Sequence, residues 1–155
     1  MSRINTATIN LVKSFEGLSL KAYHDSIDPI GCDTIGYGSI TYEDGTPVRV
    51  GDPDITEERA VQLLMWELQQ KEPHLAEMVT ADINDNQFGA LLSFSYNEGL
   101  GAFETSTLRH KVNTNPADPS IQVEFSKWDI ASGKPVDGLL RRRKAEWQLY
   151  STPVN

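Results

Sequence analysis

Between Phe15 and Ser39 the chain reads FEGLSLKAYHDSIDPIGCDTIGYGS, and glycine, proline and aspartate crowd it too closely for an amphipathic helix to run through. Such a stretch folds as short strands joined by turns. Leu20–Tyr23, Thr34–Tyr37 and Pro47–Val50 have strand-like composition. Turn signals separate them at Asp28-Pro29, Gly36, Gly38, Asp44-Gly45 and Gly51-Asp52-Pro53. A small antiparallel sheet is the natural reading, with Asp44-Gly45 as a hairpin turn.

The flanks read differently. Ile9, Val12 and Phe15 recur at helical spacing, so Thr6–Phe15 is expected to be a helix capped by Asn5 or Thr6 and stopped at Gly17. Glu16 then sits at the helix C-terminus. The dipole there opposes an anion, and Phe15 and Leu18 add apolar surroundings. Both effects favour the protonated carboxyl that a general acid requires. Asp25, beside His24 and Ser26 in a polar loop, is placed to stay ionised. A carboxylate pair can bind a metal, run aspartic-protease chemistry or cleave a glycosidic bond, and the last needs one protonated and one ionised carboxyl; a Glu and an Asp nine residues apart are by themselves weak evidence.

After Thr56 the pattern is helical. Thr56 caps, Glu57 and Glu58 suit the first turn, and Ala60, Leu63, Leu64 and Leu68 form a stripe that Pro73 should break or kink. Asn84 with Gln87 forms a capping box ahead of Phe88, Leu91 and Leu92, the expected centre of the larger lobe. Gly99 and Gly101 end that helix. Thr105–Val112, Asp118-Pro119 through Trp128, and Asp137 or Gly138 through Tyr150 read as further helices, with Ser132–Pro135 a loop. The class is α+β, with the sheet segregated early and a cleft expected where sheet and helices meet.

Composition narrows the function. The net charge of −8 argues against general nucleic-acid binding. No run approaches the length of a membrane span, and the N-terminus lacks the pattern of a standard signal peptide. The single cysteine, Cys32, excludes an internal disulfide and a thiolate metal site, and is expected as a small residue in a loop or strand. His24, His74 and His110 form no metal-ligating pair, so no metal or other cofactor is expected. In the basic run Arg141–Lys144, at least two side chains should be solvated, and the sharper reading points one arginine into a cleft. Trp66, Trp128 and Trp147 fall within helical apolar stripes and read as core.

The ordered set Phe15-Glu-Gly-Leu18, Leu20-Lys-Ala-Tyr-His-Asp25 and Thr34-Ile-Gly-Tyr-Gly38 resembles the phage lysozyme (endolysin) family, glycoside hydrolase family 24. The likeness continues through Asp85–Phe103, Ser106-Thr-Leu108, Phe125-Ser-Lys-Trp128 and Gly138–Glu146. It implies a lysozyme-like fold: a small antiparallel sheet lobe near the N-terminus packed against a larger helical lobe, with a cleft between. It implies one catalytic domain over 1–155, with a β-lobe about 18–55 and a helical lobe about 56–155. The implied activity is hydrolysis of the β-1,4 bond between N-acetylmuramic acid and N-acetylglucosamine in peptidoglycan, causing lysis. Glu16 would be the acid, Asp25 would assist water or stabilise positive charge, and the Thr34 hydroxyl would orient that water. An inverting outcome would need carboxyls roughly 6.5–9.5 Å apart.

Tyr37, Gly38 and Ile40 would line one wall for substrate, Tyr96 and Asn97 the other, with Arg142 meeting a carboxylate or sugar oxygen. The resemblance also implies a cofactor-free monomer whose partner is peptidoglycan, held in the host cytoplasm until a holin lets it reach the wall. A lytic transglycosylase, a chitinase and a non-catalytic wall-binding relative are the alternatives. Two departures stand out. The family places its Thr six residues after the Asp. Here Thr34 follows Asp25 by nine, which makes Asp28 a rival to Asp25. Ser39 stands where the family often has His.

Overall fold

The computed structural model describes residues 1–27 and 30–155. The rival carboxylate Asp28 lies outside the described residues. The chain divides into two compact units, Val12–Leu68 and Met1–Leu11 with Gln69–Asn155.

The first unit holds the sheet. Helix α1 spans Thr6–Phe15, as its apolar spacing predicts, and the Asn5 carboxamide oxygen caps it by accepting from Thr8 N at 2.9 Å. Strands β1 (Ser19–His24) and β2 (Asp33–Gly36) pair antiparallel, with Tyr23 opposite Thr34 and His24 opposite Asp33. The expected third strand at Pro47–Val50 does not form. Single bridges, Ile35 to Ser39 and Thr41 to Pro47, replace it. Pro47 brings no N–H, so a longer ladder would lack a rung there. Asp44-Gly45 does turn, with Gly45 at φ 84 and Gly45 N donating to Tyr42 O at 2.9 Å. Ala22, Ile35, Val48 and Leu63 form the core of this unit, with Tyr42 and Ile55 packed on it. Leu63 comes from helix α2, Glu57–Met78, which Thr56 caps. Gly36 (φ 67) lies so close to α2 that a Cβ there would come 3.3 Å from the Ala60 Cβ.

Helix α2 runs through Pro73 without ending, contrary to the expected break. Proline removes one N–H bond, and a helix of 22 residues tolerates that single loss.

The second unit is built around α3, Asp85–Glu98. Its capping box is present in both directions: Asn84 accepts from Gln87 N, and Gln87 accepts from Asn84 N. Every residue from Phe88 to Ser95 is buried, so this helix is covered on all sides. Phe94 meets Phe103, Phe125 and Trp128 edge-on at centroid distances of 6.2, 6.1 and 5.2 Å. Around it lie α4 (Leu100–Glu104), α5 (Thr107–Thr114), α6 (Ile121–Ser126) and α7 (Asp137–Tyr150). Trp147 stacks on Tyr150 at 5.6 Å.

Three expectations need correction here. Gly99 caps the end of α3 as expected, but Gly101 falls inside α4, which starts at Leu100 between them. Helix α6 starts at Ile121 with Ser120 at its N-cap, later than the expected Asp118-Pro119. Asp118 folds back to accept from Ser120 N and Oγ, which uses its carboxylate in a turn. Ser132–Pro135 belongs to a hairpin of β3 (Ile130–Ala131) and β4 (Lys134–Pro135), with Ser132 (φ 51) and Gly133 (φ 76) both left-handed at the turn.

One contact in this unit is set by the absence of a side chain. A Cβ at Gly89 would fall 1.9 Å from Thr8 Oγ1, and Thr8 is fully buried. Gly89→Ala should therefore destabilise the protein by about 2–3 kcal/mol in urea unfolding, as overpacked cores do. Adding Thr8→Ala should recover more than half of that loss.

Candidate active site

Glu16 directly follows α1, and its N–H continues the helical pattern to Val12 O at 3.1 Å. Gly17 is not in the left-handed region and a Cβ there would meet nothing, so the helix ends without the expected glycine cap geometry. The half-buried Glu16 side chain passes beside Gly38, where a Cβ would stand 3.9 Å from Glu16 Oε2. Gly38 has φ 96, so its backbone favours glycine for conformational reasons as well.

Asp25 and Thr34 are joined through one carbonyl. Cys32 O accepts from Asp25 N at 3.1 Å and from the Thr34 hydroxyl at 3.4 Å. Asp25 Oδ1 accepts from Ile27 N at 3.0 Å, which turns the chain away from the strand end. Cys32 is half-buried just before β2 and contributes its backbone.

The other expected contacts in this unit divide. Ile40 is exposed and Gly38 presents backbone. The Tyr37 side chain is buried, donates to Glu57 at 3.2 Å and lies under the Lys13 ammonium. What Tyr37 can offer a ligand is main chain. Ser39 is buried, and its backbone pairs with Ile35 in both directions at 2.9 Å.

In the second unit Tyr96 is half-buried and Asn97 exposed at the end of α3. Arg143 holds this end, donating to Asn97 Oδ1 at 2.8 Å and Glu98 Oε1 at 2.7 Å. Arg143 also faces Phe94, its guanidinium carbon 5.0 Å from the ring centroid. Its buried counter-ion is Glu146, 2.6 Å from Arg143 Nε and accepting from Ser93 Oγ at 2.8 Å. Arg142 is buried too, 3.7 Å from the same carboxylate and 3.4 Å from Ser93 O. Arg141 and Lys144 are exposed, so two of the four basic side chains are solvated as expected.

Sequence and backbone agree on kinship. The phage lysozyme family model matches residues 13–146. The chain belongs to the phage lysozyme family. The endolysin of Bacillus phage B103 is 40% identical over 149 residues, covering 96% of this chain and 54% of that protein. The chain therefore spans about half the length of the Bacillus phage endolysins it matches. Among solved structures, the endolysin from Escherichia coli O157:H7 phage FAHEc1 superposes with a TM-score of 0.84 at 32% identity, covering 97% of this chain and 94% of that one. The muramidase domain of SpmX from Asticaccaulis excentricus gives 0.81 at 32% identity, covering 97% and 98%. The mixed helical fold with a small antiparallel sheet matches these lysozyme structures.

Within this family member, sequence reasoning missed Arg143, Glu146 and the side-chain pair of His24 with Asp33. The first two sit three apart on one helix, a spacing at which opposite charges meet. Nothing in the sequence indicated that they would be buried.

Burial pushes the Glu146 carboxyl up to about 7, against the pull of Arg143 and Arg142 and the hydrogen bonds from Ser93 and Arg143. A carboxyl with a raised folded pKa binds more protons folded than unfolded between its ordinary value of 4.5 and about 7. Its contribution to stability is full below that window and falls as pH rises through it. Urea unfolding at pH 4.5 and pH 7.5 should show wild type losing on the order of 3 kcal/mol relative to Glu146→Gln across the interval.

Proposed function

We propose that this chain is a peptidoglycan hydrolase that cleaves the β-1,4 bond between N-acetylmuramic acid and N-acetylglucosamine. The observation that carries the reading is the convergence of Asp25 N and the Thr34 hydroxyl on Cys32 O, in the same unit that sets Glu16 beside Gly38. Glu16 donates a proton to the leaving glycosidic oxygen. Asp25 faces the developing positive charge or draws a proton from water, and Thr34 orients that water. This division assigns Glu16 a donor's role and Asp25 an acceptor's, in keeping with a half-buried helix end and a polar turn.

Substrate contacts follow from what each group has left to offer. Asn97 has its oxygen committed to Arg143, so its exposed side is the amide NH2. That side suits an acceptor such as the carbonyl of an N-acetyl group. Ile40 supplies apolar surface, Gly38 and Tyr37 supply main chain, and Tyr96 flanks Asn97. Arg142 steadies the end of α3 from within. The single catalytic domain over 1–155 acts as a monomer without a cofactor, and a holin supplies its route to the wall.

The related name of a muramidase domain and the family match support hydrolysis over a transglycosylase or chitinase outcome. Digestion of purified peptidoglycan, read by mass spectrometry, separates them. Reducing muramic ends are expected; anhydro-muramic ends, or chitin cleavage without peptidoglycan cleavage, would overturn the reading. In turbidity clearing of outer-membrane-permeabilised bacteria, Glu16→Gln should lose about 10²- to 10⁴-fold, the usual contribution of a general acid. Asp25→Asn should fall far more than Asp28→Asn in the same assay.

A further inference from the structure

The excursion between Asp25 and Cys32 raises a mechanical problem. Asp25 precedes it and Thr34 follows Cys32 by two residues, so the placement of both depends on how the neck is held. Backbone pairing alone holds its neck through the last ladder pair, His24 with Asp33, and the Asp25 N to Cys32 O bond. End pairs of a two-stranded ribbon fray readily.

We propose that His24 and Asp33 form a side-chain clamp at this neck and act as positioning residues for Asp25 and Thr34. The inference rests on the hydrolase reading given above. The two residues are directly opposite in the antiparallel register, so their side chains share a face. His24 Nδ1 lies 2.9 Å from Asp33 Oδ1. Successive strand residues point to opposite faces, so the clamp lies on the face away from the buried Thr34 side chain. It therefore acts through backbone, without touching reacting atoms.

Further contacts make this more than a surface ion pair. Asp33 Oδ2 accepts from Val50 N at 2.9 Å, which ties the neck to a third segment. That segment is itself fixed, because Asp52 Oδ2 accepts from Arg49 N at 2.9 Å and from the Tyr42 hydroxyl at 2.8 Å. Gly31 (φ 66) passes close to the imidazole: a Cβ built there would stand 3.5 Å from His24 Cε1. The Val50 N–H first and His24 second hold the Asp33 carboxyl below its ordinary value.

Exposure separates this role from a stabilising one. The His24 side chain is 58% exposed, and exposed pairs add little to global stability. The clamp should therefore be visible in turnover and nearly invisible in melting. On purified, dye-labelled sacculi, His24→Ala should lower kcat about tenfold, with KM within about twofold and an unchanged melting temperature, as a misplaced catalytic group does. Asp33→Ala should lose at least as much. The double variant should be no slower than Asp33→Ala, because the two act as one unit. His24→Asn, which restores a donor near the Nδ1 position, should recover most of the loss.

Wild-type kcat in both single variants, losses that multiply in the double variant, or losses that track melting temperature would each overturn the clamp. Glu16→Gln run alongside identifies which reading has failed. If it clears sacculi normally, the hydrolase assignment of Glu16 falls. If it is inactive while His24→Ala and Asp33→Ala are normal, the clamp alone falls.

Discussion

Glu146 and Arg143 are both fully buried, and the order of the helical unit depends on how that pair is satisfied. Removing two charges from water costs several kcal/mol per ion, and Coulomb attraction offsets this only where the remaining polar atoms are also engaged. Here Ser93 donates to the carboxylate, Arg142 lies beside it, and Arg143 spends its other nitrogens on Asn97 and Glu98. These demands set the register of α7 against α3 far more narrowly than apolar packing would, since a slip of one residue strands a charge. The same bonds hold the amide of Asn97, so the restriction extends from the core to the exposed end of α3. A methionine or leucine pair of similar volume would pack as densely and leave that amide free to turn.

Local signals made much of the fold legible. The cap and stripe of α1, the two-way box at Asn84 and Gln87, and the span of α7 follow from neighbouring residues and were readable for that reason. The misreadings have a common origin. Pro73 is a helix breaker in isolation, yet α2 is carried through by burial of Leu68 and Leu75 on either side. Gly99 does stop α3, but Gly101 looked like part of the same break, and Phe103, buried against Phe94, draws it into α4. The Ser132-Gly133 pair resembled a loop because its hairpin has two residues per strand, too few to show any alternation.

The site was legible to the extent that its chemistry lies in one contiguous stretch. Glu16, Asp25 and Thr34 were singled out through their motif, and the strand register lets Asp25 N and the Thr34 hydroxyl share the Cys32 carbonyl across nine residues of spacing. The partners that orient them were not legible. Val50 N and Gly31 reach the neck of the excursion only after folding, and a lone His and Asp in sequence have many possible partners. Arg142 was singled out from a run of three arginines. It is buried, but the arginine that bonds Asn97 is its neighbour, a distinction of one helical step that composition cannot make.

Burial also changes what the charge of the chain means. Arg141–Lys144 looks like a basic patch able to draw an acidic protein, of net charge −8, toward an anionic surface. Two of its four charges are inside the protein, matched against Glu146 and Glu98, and contribute little to the outer field. The remaining field is acidic and repels an anionic polymer, more strongly at low salt. Contacts with a ligand then act at van der Waals and hydrogen-bond range, where the sheet unit offers an exposed Ile40 and the helical unit an oriented amide at Asn97. Groups of that kind work only when held at fixed positions. That requirement explains why both units put effort into orientation, the sheet unit through backbone register and the helical unit through a buried ion pair.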